Sequence, residues 1–591
     1  MKNIRIIILL VFLGTFVSCN DNFLEVAPSD RYSDAAVWND PVLIRSFVNE
    51  IYIGLPHGFS NVAFASLSDD ALDTWSFESD PVLNSQLNPG YLAIMGPNHW
   101  NASFKNISWP SLYKEVRACN VFLGNMANSK LAGSDIDQLK GEVLYLRAHY
   151  YTILVSLYGG VPLIDKALTS NDDLLTPRST FDDCIKFIVK DLDGAAALLP
   201  LNGDKARATK GAALGLKSRI LLYAASDLFN SNGAWTSGYS KNELIGYTGG
   251  DRTARWQAAK DAAKAVIDLG IYNLYGGTNP GSPEAATNNY INIFLNNGNV
   301  EDIFLSYQDN VHNTNWDSPS VGLFDGPNGY HNWGGNSPLG QLVDSYEMID
   351  GTKFDWNNTT HNTAPYVNRD PRFYANILYD GAKWRQRPAD VRAADPLGII
   401  QTGKYQQANG TFVAGLDTRQ SPIEDWNGSY TGYYTRKFID PSIDHQYVKQ
   451  KLPWRQIRYA EILLNYAEAC LGLGQEVEAK QYMNLIRSRA GMPNVPVGET
   501  GQTLVNRYRN ERRIELSYEL QRYFDIRRWM IAPTAIANAQ GVSIVHPFGS
   551  ANTTYSVIEV RNRAWINKSY LLPIMQEEMN RNKNLIQNPG Y

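Results

Sequence analysis

The sequence predicts a mainly α protein made of tetratricopeptide-like helix pairs with a large loop-rich insertion. Three observations predict it. Apolar residues recur at helical spacing through much of the chain, the periodic segments fall in pairs with short polar connections, and the texture changes between about residues 273 and 453. The clearest helical face is Phe181, Ile185, Ile188, Leu192, Ala195 and Leu199, spaced four and three apart in alternation, with Thr180 as N-cap and Pro200 as stop. Ile457, Ala460, Leu464, Ala467 and Leu471 repeat the pattern ahead of Gly472, and similar faces run through 139–158, 209–228, 256–269, 477–490 and 508–530. No strict 34-residue period accompanies them, so the expectation is helix pairs and not a regular repeat array.

The stretch 273–453 is rich in Gly, Asn, Asp, Pro, Trp and Tyr and poor in helical faces. Long irregular connections within a compact protein are usually functional loops. With no long charge runs or Gly/Ser linkers, residues 19–591 read as one domain whose insertion precedes the last helix pairs.

Composition excludes several classes. Hydrophobic residues make up 44% and charged residues 19%, so the chain is not natively disordered. Lys plus Arg number 54 against 59 Asp plus Glu, a net charge of −5 that gives no footprint for nucleic acid or anionic lipid. Four Cys build no disulfide scaffold, and Cys119, Cys184 and Cys470 read as buried small apolar residues. The unusual figure is 12% aromatics, with 14 Trp, many of them in the irregular stretches.

Residues 1–18 read as a secretory signal peptide. Lys2 and Arg5 precede an apolar run, residues 6–13, too short to span a ~30 Å hydrocarbon core. Phe16-Val17-Ser18-Cys19 is similar to a bacterial lipobox, although Phe16 stands where Leu is usual. Lipidation of Cys19 would anchor an otherwise soluble domain.

The motifs then resemble the SusD/RagB family, surface glycan-binding lipoproteins of Bacteroidetes, over essentially the whole mature chain. Cys19-Asn-Asp-Asn-Phe-Leu24 with Pro28 is similar to the family's opening, and Gly141-Glu-Val-Leu-Tyr-Leu-Arg-Ala148 leading to Tyr158-Gly-Gly-Val-Pro-Leu163 to its most recognisable helix and exit. Arg207-Ala-Thr-Lys-Gly-Ala-Ala213, Asn368-Arg-Asp-Pro-Arg-Phe373, Arg458-Tyr-Ala-Glu461 and Asn465-Tyr-Ala-Glu468 follow in order. Asn510-Glu-Arg-Arg-Ile-Glu-Leu516, Arg522-Tyr-Phe-Asp-Ile-Arg-Arg-Trp529, Leu572-Pro-Ile574 and Gln587-Asn-Pro-Gly-Tyr591 complete the set. The resemblance implies a non-catalytic protein on the outer face of the outer membrane, anchored through lipid. It implies a glycan ligand and a SusC-like TonB-dependent β-barrel transporter as partner; the residues themselves give no cofactor motif and no local support for a His-based metal site.

Read as residues alone, the late motifs are structural. Arg512 and Glu515, Glu519 and Arg522, and Asp525 and Arg528 are each three apart, which brings opposite charges together on a helix. Glu461, Glu468 and Arg147 read likewise as ion-pairing scaffold residues, and Trp109 and Trp529 as core.

Catalytic signatures are missing: no HExxH, GxSxG or P-loop occurs, and the eight His form no pair at i, i+3 or i+4. Asp69, Asp70 and Asp73 raise the alternative of a glycoside hydrolase, which needs two carboxyls flanking a bond. A second alternative is a binder of a non-glycan nutrient such as a peptide. Sugar recognition needs flat aromatics for the C–H face of the ring and Asp, Asn, Gln or Arg for its hydroxyls. Asp70, Trp75, Trp100, Trp316, Trp333 and Arg372 meet that description and are the expected glycan contacts, the alternatives being a structural pair with Asp370 for Arg372 and a plug over the core for any single Trp. Trp384, Trp426 and Tyr430 are further loop aromatics, and Arg369 flanks the same Asp-Pro turn as Arg372.

Overall fold

The computed structural model describes residues 34–59, 62–75, 77–99, 102–128, 133–307 and 320–591. The signal segment, Cys19, Trp100 and Trp316 lie outside the described residues.

The principal helices are α1 (Pro41–Ile53), α2 (Trp109–Asn125), α3 (Ser134–Tyr158), α4 (Phe181–Leu198), α5 (Lys210–Ala225) and α6 (Arg252–Ile267). After α7 (Pro283–Leu295) and the irregular region come α8 (Tyr459–Gly472), α9 (Glu476–Arg489), α10 (Gly501–Glu515) and α11 (Gln521–Arg528). Each of α2 to α5 packs on the next, and α8 packs on α6 before pairing with α9. The scaffold therefore closes over the point where the chain leaves it, and the region between is an excursion. The protein is mainly α, built of helix pairs.

Local chemistry explains the helix starts. Thr180 accepts the backbone N–H of Asp183, and Thr209 that of Ala212, each satisfying one of the free donors of a first turn. Phe181, Ile188, Leu192 and Ala195 of α4 face inward as their spacing requires. Each large apolar side chain so buried contributes roughly 1.5–3 kcal/mol. Trp109 and Trp529 are buried, and Cys119, Cys184 and Cys470 are buried free thiols.

Two periodic segments depart from expectation. Ile457 belongs to a strand and not to the helix that follows. β1 (Ala71–Asp73), β2 (Asp302–Ser306), β3 (Asn336–Pro338) and β4 (Trp454–Arg458) are short, and β4 pairs antiparallel with β2, Ile457 opposite Phe304. The face through 508–530 breaks into α10 and α11, because Tyr518 and Leu520 take φ of 63° and 65°. That left-handed backbone interrupts a helix. It is held by tertiary contacts, since the Tyr518 hydroxyl donates to the Asn336 carbonyl at 3.1 Å. A longer hairpin, β5 (Ala539–His546) with β6 (Thr554–Arg561), extends a sheet begun by Lys404–Gln406 and Phe412–Ala414.

The excursion has its own aromatic core, including Tyr290, Phe294, Tyr346, Phe373, Tyr433, Phe438 and Trp454. A buried ion network ties it to the last helices. Glu515 accepts from Arg372 at 3.1 Å, from Arg458 at 2.7 Å and from Arg489. Arg372 also binds Asp370 at 2.7 Å and Glu511 at 2.6 Å, and Glu511 takes Arg487 at 2.8 Å. Burial alone would raise the Glu515 carboxyl, but Arg489, Arg458 and Arg372 hold it well below the usual range. The expected ligand contact at Arg372 is therefore corrected. The side chain is 0% exposed, and its guanidinium is taken by three carboxylates. Arg369 is buried too, donating to the carbonyls of Pro365, Val343 and Tyr346.

Of the three pairs expected from spacing, Asp525 with Arg528 forms at 2.8 Å. Arg512 turns instead to Asp525 at 2.8 Å and Arg522 to Asp69 at 2.7 Å, while Glu519 takes Arg458 and Lys437. Partners from other segments displace the local ones. Glu461 pairs with Arg219 at 2.6 Å, Glu468 with Arg528 at 2.5 Å and Arg147 with Asp191 at 2.7 Å.

Candidate functional site

The register of one short ladder creates the site. β1 and β3 run antiparallel with Asp73 opposite Asn336. The chain leaving β1 therefore runs beside the chain entering β3: Thr74 N–H donates to the Gly335 carbonyl at 2.8 Å, and its hydroxyl to the Gly334 carbonyl. Trp75 and Trp333 consequently meet, ring centroids 6.2 Å apart and planes at 83°. Both are half-buried. Phe324 backs Trp333 at 5.5 Å, and Trp75 packs partly on the scaffold core.

A third loop closes in. Gly334 has φ of 59°, and a Cβ there would lie 2.9 Å from the Tyr434 ring and 3.1 Å from the Gly428 Cα. Only glycine fits that turn, and the loop holding Trp426 and Tyr430 thus packs directly against the one holding Trp333. Trp426 is 62% exposed. Tyr430 is half-buried under the Arg419 guanidinium, 4.0 Å from its ring centroid. Trp384 packs on the aromatic core of the excursion.

Two buried carboxyls lie beneath. Asp73 accepts the Trp75 N–H at 3.0 Å and the Ser79 hydroxyl at 3.3 Å. Burial pushes it up to about 7 against the pull of the Trp75 bond, with Glu78 adding to the rise. Asp325 accepts from Asn336 N–H at 3.2 Å and Nδ2 at 2.7 Å, and burial pushes it up to about 8 in spite of those bonds. Asp70 is not a ligand contact. It is 0% exposed and accepts from Arg513 at 2.8 Å, because β1 begins one residue later and draws it inward.

Beyond Trp75 the same loop reaches a cleft of about 550 Å³, lined by Phe77, Glu78, Tyr91, Asn98, His99 and Gln576 among others. Phe77 and Tyr91 are 66% and 50% exposed, and Glu78 meets His99 at 2.5 Å in the wall. Sequence reasoning missed Phe77, Tyr91 and Arg419. The signal for Phe77 was its place two residues after Trp75, and for Tyr91 the preceding Asn88-Pro89-Gly90 turn. A second cleft of about 460 Å³ runs along α10, where Arg507 holds Glu347 at 2.6 Å and Glu499 at 2.7 Å. Among the described residues no cluster of three or more His, Cys, Asp or Glu is arranged to hold a metal ion.

Helix pairs carrying a loop-built aromatic surface, with two buried carboxyls beneath it held by neutral donors, are what the structure shows at this end of the molecule. The chain belongs to the SusD/RagB family. The SusD family model matches residues 300–591, and a second model, described as starch-binding associating with outer membrane, matches 22–222. SusD-like protein P38 of Formosa agariphila is 24% identical over 89% of this chain and 91% of its own. A SusD-like protein of Bacteroides fragilis is 29% identical with a TM-score of 0.76, covering 96% of this chain and 100% of that one. A SusD-like carbohydrate-binding protein of the same species is 24% identical with a TM-score of 0.69, covering 93% and 100%.

Proposed function

We propose that this protein captures oligosaccharides at the cell surface without cleaving them and passes them to a SusC-like TonB-dependent transporter, while lipid on Cys19 holds it to the outer membrane. The observation that carries this reading is the Trp75–Trp333 pair, two half-buried indoles set edge to face where three loops converge. Such rings offer flat apolar surface to sugar C–H groups. Phe77 and Tyr91 extend that surface along the adjoining cleft, where Asn98 and Gln576 supply hydroxyl partners. Trp100 directly follows His99 of the same cleft, and it stays among the proposed contacts together with Trp316. The description of the Bacteroides fragilis neighbour as carbohydrate-binding supports the ligand class.

The hydrolase alternative receives no geometric support. Asp69 and Asp70 are engaged by Arg522 and Arg513, and both oxygens of buried Asp73 are occupied. The test is a glycan array with peptide controls, followed by calorimetry on a hit and analysis of the recovered glycan. Binding with unchanged chain length is expected. Shortened products in proportion to protein, or hits confined to the peptides, would overturn the reading.

A further inference from the structure

Arg419 is one of two half-buried arginines among the described residues that have no carboxylate within 4 Å and donate a single side-chain hydrogen bond. Most buried or half-buried arginines are saturated by carboxylates, as Arg372 and Arg458 are. Arg178, Arg255, Arg369, Arg527 and Arg563 have none within 4 Å, but each donates to two or more oxygen acceptors. The other of the two, Arg436, donates to the Tyr374 carbonyl and lies over Trp384, in the aromatic core of the excursion. Arg419 is half-buried, lies over the Tyr430 ring and donates a single bond, 3.2 Å to the Gly428 carbonyl. Among the described residues no carboxylate lies within 4 Å of it. Its acidic neighbours in sequence do not offset it: Asp417 is held by Arg387 at 2.7 Å, Asp425 is exposed, and Glu424 takes the Asn427 amide and is raised by burial.

Its position is the second observation. Gly428, the acceptor of that bond, abuts Gly334, the residue after Trp333. The guanidinium is therefore tied to the loop that packs on the turn carrying Trp333. It is fixed in plane by Tyr430 and has donors to spare. A guanidinium fork suits carboxylate and sulfate oxygens, and an uncompensated, partly desolvated cation favours an anion over a neutral hydroxyl.

Building on the glycan reading, we infer that the ligand carries an acidic substituent, the carboxylate of a uronate or a sulfate ester, and that Arg419 receives it while the indoles hold the ring. Arg561, the other cation near Tyr430 at 5.9 Å, is paired with Asp80 at 3.4 Å and leaves the anion to Arg419.

The experiment uses an array holding neutral, uronate-bearing and sulfated oligosaccharides. Each acidic hit is then titrated by calorimetry beside its uncharged derivative, the methyl ester for a uronate and the desulfated form for a sulfate. The acidic form is expected to bind at least about tenfold more tightly, less so at high salt, with Arg419→Gln erasing the preference. The derivative pair that shows it identifies which acid is used. Hits confined to neutral glycans, equal binding of acid and derivative, or a preference kept in Arg419→Gln would overturn the inference and leave glycan capture standing. If no glycan of any kind binds, the capture reading itself fails and this one with it. Should Arg419→Gln lose its fold by melting temperature, Arg419→Lys keeps the charge without the fork and is expected to show a reduced preference.

Discussion

Trp75 and Trp333 lie at the same end of an antiparallel ladder, one just after its first strand and one just before its second, and meet at 6.2 Å with planes nearly perpendicular. Phe324 backs Trp333 and the scaffold core backs Trp75, so the pair is braced from both sides.

Trp75→Ala and Trp333→Ala are therefore each expected to weaken binding of the cognate glycan. Stacking on a nucleic-acid base is worth about 1–3 kcal/mol by alanine substitution, and on that scale the loss is roughly five-fold to over a hundred-fold. Trp75→Ala should also lower the melting temperature, since part of its ring covers the core. Calorimetry and thermal melts on both variants check this. Wild-type affinity in both would remove the pair from the site.

Arg372→Ala is expected to act on stability. It would leave Asp370, Glu511 and Glu515 facing one another with one guanidinium fewer, in a place with no water to compensate. Breaking such a buried pair costs about 3–5 kcal/mol. The urea midpoint should fall accordingly, with glycan affinity of the folded protein unchanged. An unchanged midpoint with weakened binding would return Arg372 to the ligand.

The helical half of the molecule was legible because a buried helix face repeats every three to four residues, as in α4, and its caps are local chemistry. Ile457 shows the limit: one apolar residue in phase with a helix is equally in phase with a two-sided buried strand. The break at Tyr518 and Leu520 carries no Gly or Pro to announce it and is imposed from outside, by Asn336 and Arg458. The site was legible in kind and not in membership. Loop-borne Trp beside polar residues pointed to Trp75 and Trp333, but only the register of β1 against β3 brings them together. The same composition described Asp70 and Arg372 equally well. Arg513, the partner of Asp70, and Glu511, one partner of Arg372, lie over a hundred residues away, where no spacing rule reaches, whereas Asp370, another partner of Arg372, stands two residues before it and was legible.

Cys19→Ala is expected to move the protein from the outer-membrane fraction to the soluble one. No helix among the described residues is long and apolar enough to cross a membrane, and on the proposed reading the lipid on Cys19 makes the attachment. Fractionation in cells lacking the transporter separates the anchor from the partner. A variant that still sediments with membranes there would end the lipoprotein reading.

The carboxyls beneath the platform give the stability of the fold a defined pH signature. Asp73 and Asp325 sit at about 7 and about 8 when folded, against an ordinary 3.8. Between about pH 4 and those values the folded protein keeps both protons while the unfolded chain has released them. The folded state then binds more protons, so these groups make stability fall as pH rises, by at most ~1.4 kcal/mol per unit for each. Below about pH 4 both states are protonated and the contribution is flat. Above about pH 8 both are ionised and the loss is complete. Asn cannot ionise, and at position 325 its side-chain oxygen still accepts from Asn336. Asp73→Asn and Asp325→Asn should therefore gain on wild type as pH goes from 5 to 8, Asp325→Asn over the wider range. Urea unfolding at pH 5, 6, 7 and 8 measures the difference between variant and wild type, in which all other titrating groups cancel. A difference that stays constant with pH would mean that both carboxyls are already ionised in the folded protein, and that the pocket under Trp75 and Trp333 is wet.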